Sequence, residues 1–235
     1  MTKVIRATLL IMALMTPTSS LSQSSTTNSI YIEQVGDAST ITITQEGQGN
    51  EIGNRTTDVP MVLQGDGQVV NITMDGNSNK INGDIKQSDG SSTTVTLTGD
   101  NNDVTFDVGN AAAAGGSTTA LTISGSTNEY TLNQGKLSSA TNFQQTFNIT
   151  GDLNTVTQNV ETNDVVNTIT VAGDSNVIAT TQNGASGKNI EMLLTGSQNN
   201  VTVNQQSTLN VDSVKLDSTS SGSTIIINQC NVGGC

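Results

Sequence analysis

The chain has little of what usually builds a large compact core or a catalytic centre. Its 235 residues include no Trp, three Phe and two Tyr, and only 33% of them are hydrophobic. An ordinary globular chain has nearly half its residues apolar. Histidine is absent too, which removes the usual general base, the Ser-His-Asp arrangement and most zinc sites. We therefore expect no enzyme, no cofactor and no metal site.

Basic residues are scarce as well. Lys and Arg together number 8 against 20 Asp and Glu, which gives a formal net charge of −12. Affinity for nucleic acid comes from Lys and Arg that neutralise phosphates. The charge balance therefore argues against a nucleic-acid partner, and it suits a chain that must remain soluble.

The first residues have the layout of an export signal. Lys3 and Arg6 precede a short apolar run over residues 7–15, and a Ser-rich stretch follows. This order predicts a secretory signal peptide over residues 1–22, with cleavage after Ser22. The alternative is a buried or membrane-anchoring helix, for which the apolar run is short. No later apolar stretch is long enough to span a membrane, so we expect a secreted chain without a transmembrane anchor.

Two cysteines stand at the C-terminus. Cys230 and Cys235 bound the segment CNVGGC, a tail over residues 230–235. An even number of cysteines in an exported chain favours an intramolecular disulfide, which would fix an end that otherwise frays. Free thiols and pairing between chains are the alternatives.

A short motif recurs through the chain. It reads Gly, two residues, Asn, one residue and an apolar residue. Its Asn positions lie 22 to 26 residues apart: Asn79, Asn102, Asn128, Asn154, Asn176 and Asn199. A period in the twenties is typical of stacked architectures. Further copies overlap at Gln45 and follow Gly222, so the repeat is predicted over residues 23–229.

Within each repeat the hydrophobic pattern has a period of two, which is that of a strand. Alternate residues before the glycine are apolar, as at Ile169 and Val171, and alternation resumes in phase with the Asn after it. Each unit is therefore a strand, a turn and a second strand. One such unit is too small to be stable alone, but stacking at about 4.8 Å gives continuous apolar columns. The pattern predicts an all-β solenoid of stacked repeats with a thin two-layer core.

Asn and Gln recur in phase with this core. Stacked amides hydrogen-bond along the stacking axis and form ladders. The Asn residues above would make one ladder, and Gln134, Gln182 and Gln205 another. The alternative is that these are ordinary turn-forming Asn and solvated Gln residues.

These residues resemble the curlin repeat, whose pattern is Gln, any residue, Gly, two residues, Asn, one residue, Ala, three residues, Gln. QVGDASTITITQ, from Gln34 to Gln45, keeps both Gln and the Gly, while QEGQGNEI keeps Gln45, Gly47 and Asn50. Later copies depart from the pattern because the first Gln is apolar, as at Ile123.

The resemblance implies an exported subunit of curli-like amyloid fibres that support adhesion and biofilm matrix. The chain's partner would be itself, together with a nucleator subunit and an outer-membrane secretion channel. On this resemblance, a role in polymerisation is predicted for Gln34, Gln45, Asn50, Asn79, Asn102, Asn128, Gln134, Asn154, Asn176, Gln182, Asn199, Gln205 and Gln229.

A solenoid has open edges at its first and last rungs, and such edges pair with other chains. STIIINQ, over residues 223–229, is predicted to be the stronger edge because it is uncharged and β-branched. NSIYIEQVG, over residues 28–36, is predicted to be the other. Head-to-tail docking of the two would give an open filament. The Cys-bounded tail could instead cap the end and leave a monomer.

Two other functions stay open at this stage. One is a monomeric solenoid that binds ice or a cell-surface glycan through outward Thr pairs, such as Thr42 and Thr44 or Thr168 and Thr170. The pairs do not recur in every rung, so ordinary solvent-facing Thr is the favoured interpretation. The other is a phage or virion fibre component, against which the export signal counts.

Overall fold

The computed structural model describes residues 6–8, 18–25, 30–35, 40–53, 61–64, 67–85, 91–99, 101–108, 118–125, 127–134, 144–151, 153–160, 165–173, 175–183, 187–196, 198–206, 213–219 and 222–229. These residues form twenty strands, numbered β1 to β20 along the chain, and no helix. Every pairing between these strands is parallel.

Two long sheets contain most of the strands, and from β4 onward the strands of these two sheets alternate along the chain. In spatial order the nine-stranded sheet consists of β2 (Thr18–Ser25), β4 (Thr40–Gly47), β7 (Val69–Asp75), β9 (Ser92–Thr98), β11 (Thr118–Ser124), β13 (Gln144–Thr150), β15 (Val166–Ala172), β17 (Asn189–Thr195) and β19 (Ser213–Ser218). The eight-stranded sheet consists of β5 (Glu51–Ile52), β8 (Ser78–Ile85), β10 (Asn101–Val108), β12 (Thr127–Gln134), β14 (Leu153–Val160), β16 (Val177–Gln182), β18 (Asn200–Asn204) and β20 (Thr224–Ile227).

Each rung of the solenoid is the strand-turn-strand unit that the sequence predicted. In one rung β15 runs in the nine-stranded sheet, the chain turns at Gly173, and β16 returns in the eight-stranded sheet. Buried and exposed side chains alternate along β15, with Ile169 and Val171 buried. The same register repeats from rung to rung, so equivalent positions form columns along the stack. The predicted all-β solenoid is therefore confirmed.

The core lies between the two sheets and is made almost wholly of small aliphatic side chains. Among the side chains that the structure describes, its aromatic members are Tyr130 of β12 and Phe147 of β13, both fully buried. Their ring centroids are 5.2 Å apart, so they pack against each other across the two layers. Neighbours in the Tyr130 column are Val104 and Val156. A large ring therefore lies between two small side chains, which is how a thin core accommodates it.

A third, three-stranded sheet lies near the start of the chain. Its order is β1 (Arg6–Thr8), β3 (Tyr31–Val35) and β6 (Val62–Gln64). The segment over residues 28–36 was predicted to be an outer edge. That prediction is wrong for the full chain, because β3 is the middle strand and has a neighbour on each side.

The unpaired hydroxyl of Tyr130 makes the core sensitive to alkaline pH. Within the described ranges no hydrogen-bond partner faces this buried hydroxyl, and burial raises the pKa of Tyr130 well above its ordinary value of 10.0. An acid whose pKa is higher in the folded state stabilises the fold below its unfolded pKa, and that stability is lost as the pH rises past it.

We therefore predict that the free energy of unfolding of the wild type falls above about pH 10. Tyr130→Phe should equal or exceed the wild type in stability at neutral pH, because it removes a desolvated hydroxyl without opening a cavity. It should also lose less stability in alkali. Denaturant unfolding near neutral pH and near pH 11 measures both effects, and parallel losses in the two proteins would contradict the prediction.

Candidate functional site

An Asn side chain is buried at the same place after the turn in six rungs. None of the six is more than 2% exposed: Asn50, Asn79, Asn102, Asn154, Asn176 and Asn199. Asn128 lies in register between Asn102 and Asn154, although its side chain falls outside the described part of the structure. The six side chains therefore lie in one column along the inner edge of the eight-stranded sheet.

The amides of this column connect successive rungs. Asn50 Nδ2 donates to Asn79 Oδ1 at 3.0 Å, and Asn79 Nδ2 donates to Asn102 Oδ1 at 2.8 Å. Asn79 Nδ2 also reaches the Thr98 carbonyl oxygen at 2.8 Å in the next rung. Buried amides must be hydrogen-bonded to offset their desolvation, and here the partner is the neighbouring rung.

The column continues toward the C-terminal end of the stack. Asn199 Nδ2 donates to Asn176 Oδ1 at 2.5 Å. Ser223 takes the place of Asn in the last rung, and its hydroxyl donates to Asn199 Oδ1 at 3.5 Å. The column is therefore occupied by a polar group up to the last rung.

The glycine that opens each turn is required by the same close stacking. A Cβ placed on Gly99 would lie 1.7 Å from the carbonyl oxygen of Gly76 and 2.9 Å from Asn79 Nδ2. The distance to the carbonyl oxygen below is 1.5 to 1.6 Å at four further glycines: Gly76, Gly125, Gly173 and Gly196. Successive turns thus approach too closely for any side chain.

The Gln residues do not form the continuous ladder that the repeat suggested. Gln182 Nε2 donates to Gln205 Oε1 at 2.6 Å, so one pair of rungs has the expected bond. Gln134, however, lies in register between Val108 and Val160. Val160 therefore separates Gln134 from Gln182, and the predicted stacking of Gln134 with Gln182 and Gln205 is wrong.

Three other Gln residues of the predicted set lie in different settings. Gln45 is buried, and its Nε2 donates to the Glu51 carbonyl oxygen at 3.3 Å, although its neighbour in the next rung is Met74. Gln34 belongs to β3 of the three-stranded sheet, away from the Asn column. Gln229 is exposed and follows the end of β20.

Three further buried amides, Gln145, Gln158 and Asn167, were not predicted from the sequence. Gln158 donates to Gln145, and Asn167 donates to Gln182, in each case from one sheet to the other. These pairs close the core at the end of the rung opposite the turn. A signal was present, because Gln145 stands two residues before Phe147 and Asn167 two residues before Ile169, each in phase with that apolar residue.

The C-terminal rung is open. Among the strands that the structure describes, β20 pairs with β18 alone and β19 pairs with β17 alone. Ile225 and Ile227 are 43% and 39% exposed, whereas Val201 and Val203, which precede them in their columns, are at most 1% exposed. A partly exposed apolar strip therefore ends the core at this rung.

Cys230 and Cys235 lie outside the described residues, so the disulfide between them stays a prediction. In the described part of the chain, no group of three or more His, Cys, Asp or Glu side chains is placed to hold a metal ion. Nor do these ranges include a helix with the length and apolarity needed to cross a membrane.

The fold and the buried amide column define the protein as a parallel β-solenoid with polar ladders between its rungs. Residues 20–47, from within β2 to the end of β4, match the family model described as the curlin-associated repeat. This range includes the segment from Gln34 to Gln45, so the resemblance to the curlin repeat is confirmed. The search found no match to a curated protein or to a solved structure.

Breaking the Asn column should destabilise the whole stack. Asn79→Ala removes two hydrogen bonds of the buried column, from Asn50 Nδ2 to Asn79 Oδ1 and from Asn79 Nδ2 to Asn102 Oδ1, and we expect a loss of about 1–3 kcal/mol in the free energy of unfolding. Asn82→Ala is the matched control, because Asn82 lies on the same strand but is exposed. Denaturant unfolding compares the two, and equal losses would show that the ladder contributes nothing specific.

Adding a methyl group at the turn should destabilise the protein more than Asn79→Ala does. Gly99→Ala places its Cβ against the Gly76 carbonyl, and we expect a loss of about 3 kcal/mol or more, at the upper end for overpacking. Gly67→Ala is the control, since nothing lies within 4 Å of the added Cβ and only its φ of +64° is unfavourable. That control should lose roughly 1–2 kcal/mol. A Gly99→Ala protein as stable as the control would contradict this explanation of the glycine column.

Proposed function

We propose that the chain is an exported structural subunit of curli-like extracellular fibres, which grow when one copy stacks on another head to tail. The observation that carries this proposal is the open C-terminal rung. In the described part of the chain, no strand lies on the outer side of its two edge strands, and Ile225 and Ile227 are partly exposed there. Strand β20 contains no charged residue and no Pro, and parallel edges without such protection add further strands.

The register indicates how a second copy would fit. Columns of the nine-stranded sheet join Val214 to Ile41 and Leu216 to Ile43 through the intervening rungs. A second copy that docked its first rung on the last rung of the first copy would continue each of these columns with like residues. Completing the burial of each half-exposed aliphatic side chain contributes about 1 kcal/mol.

The eight-stranded sheet offers the same continuity. Ile225 ends a column that runs through Ile52 to Ile30, so Ile225 of one mature copy would meet Ile30 of the next. Ser223 ends the Asn column at the last rung, so the polar column would reach the junction between subunits. This is the role proposed for the amide residues, and it requires no catalytic group.

Removal of the predicted signal peptide would expose the other docking surface. In the full chain β2 pairs with β4 and covers that end of the nine-stranded sheet. Cleavage after Ser22 would leave only Gln23–Ser25 of β2, and Ile41 and Ile43 of β4 would lose the strand beside them. Export and competence to polymerise would in this way be linked.

The proposal also includes the biological role that the family match suggests. Curlin-type subunits are implied to serve adhesion and biofilm matrix, with a nucleator subunit and an outer-membrane channel as partners. The net charge of −12 supports this, because mutual repulsion keeps separate copies soluble at low ionic strength. Growth should accordingly be faster when added salt screens the charge.

The role of the last rung in docking can be tested by placing charged side chains on the inward or the outward face of β20. Ile225→Lys/Ile227→Lys places ammonium groups in the core-facing columns, where stacking a second copy would bury them unpaired. We expect the mature protein with these changes to remain monomeric, while the wild type forms thioflavin-positive filaments with a cross-β spacing of about 4.7 Å. Electron microscopy and thioflavin fluorescence over time give the comparison.

Ile226→Lys is the matched control, because Ile226 shares its column with the outward-facing Thr202. This variant should still form filaments. A chain without residues 223–235 should not, because it lacks β20. A wild type that stays monomeric at high concentration, or filaments that form equally well in all three variants, would refute the proposed mode of growth.

A further inference from the structure

The outer face of the nine-stranded sheet carries two adjacent columns of small uncharged side chains. They run through six consecutive strands: β4, β7, β9, β11, β13 and β15. One column is Thr42, Asn71, Thr94, Ala120, Thr146 and Thr168, and the other is Thr44, Thr73, Thr96, Thr122, Asn148 and Thr170. All twelve side chains are exposed or half-exposed, while their neighbours along each strand are buried.

The spacing of these columns is regular in both directions. Consecutive rungs are about 4.8 Å apart, and alternate residues of a strand are roughly 6.7 Å apart. No strand of the six is shifted in register against the next. Thr is β-branched, so its hydroxyl and methyl groups have few orientations open to them. The face is therefore a two-dimensional array of hydroxyl and methyl groups with fixed positions.

Nine of the twelve positions are Thr, and none is charged or aromatic. The array ends at β17, where Glu191 and Leu193 occupy the two columns and Glu191 pairs with Lys215 of β19. In a chain with a net charge of −12, an uncharged strip of this size is complementary to an uncharged ligand.

The eight-stranded sheet shows that strand propensity alone does not explain the array. Its outer face has one comparable column, which includes Thr105, Thr131 and Thr157. The column beside it contains charged residues, among them Lys80 and Asp103, which form an ion pair at 3.0 Å. Thr is a good solvent-facing strand residue on both sheets. The column on the other side of the Thr105 column carries Asp84 and Asp107 and is uncharged only from β12 to β18. Among the described strands, the nine-stranded sheet alone keeps two adjacent columns uncharged through six consecutive strands.

The geometry points to an ice-binding surface on the outer face of the nine-stranded sheet. The oxygen atoms of ice lie in planes whose repeats are close to one rung in one direction and two strand residues in the other. An array of Thr hydroxyl and methyl groups with these spacings can hold water in that arrangement before it joins the crystal. Glycans are the less favoured ligand, since sugar rings stack on aromatic side chains and the twelve positions include none.

This inference is independent of the proposed fibre. Stacking uses the first and last rungs, whereas the array lies on a side of the solenoid that stacking leaves uncovered. A monomer and a filament would both present it, and a filament would present it many times along one side.

Ice binding can be tested on the mature protein by three measurements: thermal hysteresis, inhibition of ice recrystallisation, and incorporation into a growing ice hemisphere. Thr96→Lys/Thr122→Lys places two long, hydrated cations at the centre of the array. Thr131→Lys/Thr157→Lys makes the same change at adjacent positions on the outer face of the other sheet. Thermal unfolding establishes that both variants are folded.

We expect the wild type and the Thr131→Lys/Thr157→Lys protein to shape ice, and the Thr96→Lys/Thr122→Lys protein to lose that activity. A wild type that leaves ice growth unchanged would overturn the inference, as would equal losses in the two variants. Binding to crystalline cellulose that depends on Thr96 and Thr122, without any effect on ice, would replace ice by a glycan and overturn it as well. Filament formation is scored separately with the Ile225→Lys/Ile227→Lys protein, so failure of one proposal does not conceal failure of the other.

Discussion

The structure depends on hydrogen bonding between parallel rungs that are not shifted in register. Because each residue lies about 4.8 Å from the equivalent residue of the next rung, every column must hold side chains that tolerate a close neighbour of their own kind. Aliphatic side chains pack in this arrangement and amides hydrogen-bond, whereas like charges repel. A charged content of 12% and a core with few rings follow from this requirement. The turn glycines follow from it too, since successive turns leave no room for a Cβ.

The same stacking determines where the molecule can interact. In the inner rungs, each strand is hydrogen-bonded to a strand of the rung before it and a strand of the rung after it. Among the described strands, edges that can pair with another chain therefore remain where stacking stops, as at β19 and β20. The outward columns are repeated as regularly as the inner ones, and on one sheet this produces the Thr array. The same repeat therefore produces two kinds of surface. The last rung exposes strand edges that can pair with another chain, and the outer face of the nine-stranded sheet exposes side chains in regular columns.

Much of the fold and part of the candidate site could be predicted from the repeat. The alternation around Ile169 and Val171 indicated strands, and the Gly-x-x-Asn spacing located the buried Asn column, because turn and amide lie within four residues of each other. The Gln ladder could not be located in this way. Its members lie far from the turn, and the register of neighbouring rungs places Val108 and Val160 beside Gln134.

The sequence alone determined the class of fold, the turn positions and the side chains that point inward, because all three depend on periodicity within about 25 residues. Only the tertiary structure decided which residues meet across the core, as Gln145 and Gln158 do, since that depends on how each turn folds one strand over the other. It also made β3 a middle strand by pairing it with β1 and β6, which are distant along the chain. The Thr residues looked irregular when counted rung by rung. Stacking without a register shift brought them into two continuous columns, because the neighbours that matter on this surface belong to other rungs.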